Sequence, residues 1–80
     1  MCPNALNAAT SSGAASAMVN ELLAALDDDE PIVRENAAIA LGRCGANEPQ
    51  VLSALSAAEQ DEDEGVAAAA HVALQRLPRH

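Results

Sequence analysis

Val33-Arg34-Glu35-Asn36-Ala37-Ala38-Ile39-Ala40-Leu41-Gly42-Arg43 is answered 33 residues later by Val66-Ala67-Ala68-Ala69-Ala70-His71-Val72-Ala73-Leu74-Gln75-Arg76. Val, Ala, Ala, Leu and Arg recur at 33/66, 37/70, 40/73, 41/74 and 43/76. Within each copy the apolar positions fall about one helical turn apart, which predicts two amphipathic helices. The first spans about Pro31 to Cys44, with a stripe of Val33, Ala37, Ala40, Leu41 and Cys44. The second spans about Asp63 to Leu77, with Val66, Ala70, Ala73, Leu74 and Leu77 on one side. Acidic runs precede both in the same register, Asp28-Asp29-Glu30 before one and Asp61-Glu62-Asp63 before the other.

A second pair lies just upstream of these. Leu23 and Leu26 match Leu52 and Leu55 at an offset of 29. They predict helices over about Ser16 to Leu26 (stripe Met18, Val19, Leu22, Leu23, Leu26) and about Glu48 to Ala58 (stripe Val51, Leu52, Leu55, Ala58). The shorter offset assigns about four extra residues to the second copy, expected in the loop from Gln60 to Gly65. Capping chemistry fits these boundaries. Asp29 is expected to cap the helix that opens on Pro31, and Arg43 in its last turn suits the helix dipole, with Gly45 beyond it. Asn47 with Gln50 reads as a capping box, and Pro78 stops the last helix. Asn4 to Gly13 echoes Asn36 to Gly45 at an offset of 32, as a worn third copy or a frayed tail.

Composition agrees with an all-α chain. Of 80 residues half are hydrophobic, 20 of them Ala, and there is no aromatic residue. Ala is the strongest helix former, and no stretch alternates long enough for a strand. A chain this short has a thin stability margin and little room for an enclosed pocket. Twelve acidic residues stand against four Arg and no Lys, a net charge of −8. That field repels phosphate backbones and anionic bilayers, so neither nucleic acid nor membrane is an expected partner. Salt-adapted proteins share this acidic, Lys-poor character, and a GC-rich genome also favours Ala and Arg. No run reaches the roughly 18 apolar residues of a membrane span. The opening Met1-Cys2-Pro3-Asn4-Ala5 has no basic or apolar leader region, and two Cys are too few for a disulfide framework, so a cytoplasmic setting is expected.

The stretch from Leu22 to Gly45 resembles a HEAT repeat of the short bacterial and archaeal type, also found in the bilin lyases of phycobilisomes. The pattern is Leu-x-x-x-Leu, an acidic turn with Pro, Val-Arg-x-x-Ala-x-x-Ala-Leu-Gly and a small-residue turn. The resemblance covers Met18 to Leu77 and implies an α-solenoid, a right-handed superhelix of about two helical hairpins with four to five helices. The expected organisation is a frayed or degenerate segment at 1–15, a repeat domain at 16–77 and a tail at 78–80. In the family the Arg after Val and the acidic turn form a polar ladder between repeats, so Asp29 and Arg34 are the implied pair. The second copy departs from the pattern, because Ala67 replaces that Arg. Ala37 and Ala40 are expected to line the seam between stacked layers.

The chemistry-bearing residues point away from catalysis. His71 is expected to face solvent, because its counterpart Ala38 lies off the stripe. Cys44 is expected to be a buried core thiol. No Cys or His pair has zinc spacing, the acidic runs fail as calcium loops, and no cofactor is implied. The expected role is a non-catalytic protein–protein interaction module. A bilin-lyase-like chromophore-handling protein and a salt-adapted structural domain are the alternatives. Two surfaces are candidates for a partner. One is the row Asn20, Ala24, Gln50, Ser53 and Ala57 on the Leu-rich helices. The other is the last helix, whose Val66, Ala70, Leu74 and Leu77 would form an exposed terminal layer for self-association or for another protein.

Overall fold

The computed structural model describes residues 17–44 and 48–77. Expectations for the segment 1–15, Ser16, Gly45 and the tail 78–80 lie outside the described residues. Four helices are described: α1 over 17–25, α2 (Pro31–Cys44), α3 (Pro49–Ala58) and α4 (Glu64–Arg76). No strand occurs among the described residues. The helices form two consecutive hairpins, α1–α2 and α3–α4, the all-α solenoid unit implied above.

Local chemistry sets each boundary. The turn before α2 is shaped by Asp28, whose Oδ1 accepts from Glu30 N at 2.9 Å. The Glu30 carbonyl then accepts from Val33 N and Arg34 N, and Pro31 supplies a preset φ in the first turn. The expected Asp29 cap is corrected: Asp28 shapes the turn ahead of the helix by accepting from Glu30 N, and Asp29 contributes its carbonyl to Arg34. Asp61 repeats the motif one copy later, accepting from Asp63 N at 2.8 Å. Asp63 caps α4 through Oδ1, which accepts from Val66 N at 3.0 Å, a cap worth about 1 kcal/mol. At the far end Leu77 is extended (φ −80°, ψ 133°), as a residue before Pro78 must be. Asn47 of the expected Asn47–Gln50 box lies outside the described residues. The N-cap position of α3 is Glu48, which makes no side-chain cap, and Pro49 opens the helix.

The four extra residues of the second copy are also relocated. From Leu26 to Asp28 the chain leaves its helix at once, whereas from Leu55 it stays helical through Ala58 before reaching Asp61. Four residues are close to one helical turn. The insertion lengthens α3 by a turn and leaves the acidic turn intact, instead of enlarging the Gln60–Gly65 loop.

α2 packs most extensively on α4, and α3 also packs on α4. The α4 stripe is buried throughout: Val66, Ala70, Ala73, Leu74 and Leu77. Val51 and Leu55 of α3 are fully buried, and Leu52 and Ala58 pack half-buried beside them. In the first hairpin Val19 and Leu26 are buried, with Leu22 and Leu23 packed partly against the core and Met18 exposed.

On α2 the buried face differs from the expected stripe. Ala37 and Leu41 are buried, but Ala38 and Gly42 join them, while Val33 and Ala40 are half-buried and Cys44 is exposed. The reason is geometric. A stripe read from apolar spacing finds one contact surface, but α2 has neighbours on two sides. Ala38 and Gly42 turn toward the side where α4 lies, and a Cβ on Gly42 would stand 2.8 Å from the Ala73 Cα. The seam therefore runs through Ala37, Ala38 and Gly42, with Ala40 at its margin. Cys44 sits two residues beyond Gly42, at the exposed end of α2.

Candidate protein-binding surfaces

Arg34 ties the two hairpins together. Its Nε donates to Asp61 Oδ2 at 2.9 Å and its Nη2 to Asp61 Oδ1 at 3.2 Å. Its Nη1 donates to the backbone carbonyls of Asp28 at 2.7 Å and Asp29 at 3.1 Å. The implied Asp29–Arg34 ion pair is thus corrected. Asp29 contributes its carbonyl, and the carboxylate partner comes from the next repeat, at the position equivalent to Asp28. Sequence spacing could have found this, because Asp28 and Asp61 share a register and a ladder between repeats must reach forward by one. The hydrogen bond to Asp61 holds the Arg34 guanidinium above its ordinary pKa. The same bond, with the backbone N–H of Asp63, holds the Asp61 carboxyl below the ordinary carboxylate value.

The sign of the pH effect follows. Because folding lowers the Asp61 pKa, the pair's contribution is complete above the unfolded value of about 4 and is lost as pH falls through the folded value. Asp61→Asn keeps an oxygen for the Asp63 N–H but removes the charge. It is expected to melt below the wild type at pH 7, with the gap closing below about pH 4. Thermal denaturation followed by circular dichroism at both pH values checks this. A gap that stays constant would show that the charge contributes nothing.

The terminal layer is the main correction. Val66, Ala70, Leu74 and Leu77 are buried against the rest of the molecule and offer no exposed apolar sheet. The outer side of α4 carries His71 and Gln75, the counterparts of the buried Ala38 and Gly42. His71 is exposed as expected, but for a different reason from the one the stripe suggested. Ala38 is interior because α4 covers it, whereas no described helix covers His71. There His71 Nδ1 lies 2.8 Å from Glu59 Oε2 and Nε2 lies 3.3 Å from Gln75 Nε2. This side of α4 is thus polar where the preceding repeat has Ala and Gly.

Two concave surfaces lie along the helix pairs. On the α1–α3 side a cleft of about 350 Å³ is lined by Leu23, Leu26, Ala54 and Ala58, with Asp27 and Asp61 at one end and Ala57 on its wall. Asn20, Ala24, Gln50 and Ser53 of the expected row are exposed on the same two helices. On the opposite pair, α2 and α4 enclose a groove of about 320 Å³ that includes Glu35, Ile39, Arg43, Ala68, Val72 and Arg76. Apolar stripes alone do not mark this second groove, because Ile39 and Val72 fall off the apolar faces. Their shared offset of 33 is the signal that could have marked it. No group of His, Cys, Asp or Glu is arranged to hold a metal among the described residues, and no described helix is long and apolar enough to cross a membrane.

No curated protein and no solved structure matches the chain. A family model describing HEAT repeats matches residues 4–79. With that match spanning both hairpins, and with the Arg34–Asp61 clasp between them, the chain belongs to the HEAT-repeat family.

Proposed function

We propose that the chain is a non-catalytic protein-binding module that takes an amphipathic, basic segment of another protein in the α1–α3 cleft. HEAT repeats generally mediate protein–protein interaction, and the reading extends that role to a particular face. The observation that carries it is the cleft itself. Its floor of Leu23, Leu26, Ala54 and Ala58 is apolar, and Asp27 stands at its end. An apolar side chain of a partner helix would fill the floor while Lys or Arg beside it meets the acidic end. The net charge of −8 steers such a segment inward and repels an acidic one.

A helical peptide with Leu at i, i+4 and i+7 and Arg at one end is the probe, with a Glu-ended copy as control. Titration calorimetry is expected to show binding of the Arg peptide with a Kd of about 1–100 µM, and Ala57→Arg, at an exposed position on the cleft wall, is expected to weaken it about tenfold or more. Equal binding of the Glu-ended peptide, or indifference to Ala57→Arg, would overturn the assignment.

A further inference from the structure

On the opposite side of the molecule, we infer that the α2–α4 groove is a self-complementary surface on which a second copy of this chain docks with its helices antiparallel. Among the described residues, three of the four large exposed apolar side chains lie on these two helices: Ile32 at 58%, Ile39 at 38% and Val72 at 49% exposure. Ile39 and Val72 line the groove together, at equivalent positions of the two repeats. Each sits at the centre of a row spaced i, i+4, i+8, namely Glu35–Ile39–Arg43 on α2 and Ala68–Val72–Arg76 on α4.

The order of chemistry along those rows selects the occupant. The acidic end is Glu35, whose carboxylate reaches across to within 3.1 Å of the Cβ position at Gly65. The basic end is Arg43 and Arg76, neither of which forms an ion pair among the described residues. The two-fold axis lies in the contact plane, across the helices, and turns this pattern onto itself. Ile39 then meets Ile39 of the second copy, and Val72 meets Val72 of the second copy. Glu35 faces Arg43 of the second copy and the reverse, so Arg43 of each copy gains a carboxylate. Ala68 is small where Arg76 of the second copy must lay down its stem. An acidic partner would satisfy only the Arg end, and a basic one only Glu35. The second copy satisfies both at once. Helices of 13 and 14 residues are about 20 Å long, and two of them side by side offer less than the roughly 800 Å² per partner of a standard interface. The association is therefore weak and reversible.

Sedimentation equilibrium from about 10 µM to about 1 mM in 0.15 M salt tests it. The wild type is expected to show a monomer–dimer equilibrium across that range. Ile39→Asp is expected to be monomeric throughout. Glu35→Arg and Arg43→Glu are each expected to weaken the dimer about tenfold or more, and the double variant Glu35→Arg/Arg43→Glu to recover most of that loss, because the pairs are re-formed with signs exchanged. Circular dichroism checks that each variant keeps its helicity, and Val72→Asp replaces Ile39→Asp if that protein does not fold. A wild type that is monomeric at the top concentration, a dimer indifferent to Ile39→Asp, or a double variant no better than the single ones overturns the inference. None of these results bears on the α1–α3 cleft, which lies on the other helices.

Discussion

Gly42→Leu is expected to lose about 3 kcal/mol or more of folding stability, and Gly42→Ala about 1–2 kcal/mol, against a helix-propensity gain of about 1 kcal/mol that each replacement brings. The cost arises because a Cβ at Gly42 would stand 2.8 Å from both the Cα and the Cβ of Ala73. The Cα cannot rotate away. Helix α4 would have to retreat from α2, its most extensive neighbour among the described helices. Gly65 supplies the control. A Cβ there meets Asp63 Oδ1 and Glu35 Oε1 at 3.1 Å. Glu35 is a long side chain that can swing aside, and the Asp63 carboxylate has to yield only slightly while it keeps Val66 N, so Gly65→Ala is expected to change stability by less than about 1 kcal/mol. Urea denaturation of the three variants measures all of these at once. Equal effects at Gly42 and Gly65 would mean that α2 and α4 are not in backbone contact.

Leu41→Ala is the second large effect. Leu41 is completely buried and is among the largest fully buried side chains, beside Leu55, Val51 and Val66. Leu→Ala at such sites costs about 2–5 kcal/mol, through lost transfer free energy and the cavity left behind. A chain of 80 residues has about 4–12 kcal/mol in total. With no aromatic residue to collapse into the hole, the core can relax only through aliphatic side chains of similar size. The variant is expected to be partly unfolded at 37 °C, seen as a melting midpoint lowered by about 10 °C or more. Exposed Ile32→Ala, by contrast, should leave the midpoint within about 2 °C. A Leu41→Ala protein that melts with the wild type would place the core elsewhere.

The parts of this fold legible in sequence are those where a helix buries a single stripe. Helix α4 meets both α2 and α3 through one stripe, and Val66, Ala70, Ala73, Leu74 and Leu77 along it are all buried. Helix α2 is flanked on two sides, so its second contact surface is made of Ala38 and Gly42. Small residues have no hydrophobic signature, because what they contribute is closeness. Cys44 is apolar and in phase with the stripe but stands exposed in the last turn of α2. The Arg34 clasp was legible in kind but not in partner. Its charge demanded an acid, and the nearer Asp29 hid the forward-reaching Asp61. Of the surfaces, the exposed row Asn20, Ala24, Gln50, Ser53 and Ala57 follows from helical phase alone. The cleft beneath it and the α2–α4 groove depend on how two helices sit side by side, which no single helix encodes.

The outer side of α4 makes growth of the stack directional. An inner repeat hands the next one an Arg, an Ala and a Gly, at Arg34, Ala38 and Gly42. At the same three places α4 holds Ala67, His71 and Gln75. The side chain that would grip a following acidic turn is missing, and two that would obstruct a following helix are present. Joined end to end, copies of this unit would behave as beads on a string and not as a lengthening rod. Giving α4 the residues of the preceding repeat takes Ala67→Arg, His71→Ala and Gln75→Gly together, which makes α4 a ready acceptor for a designed extension.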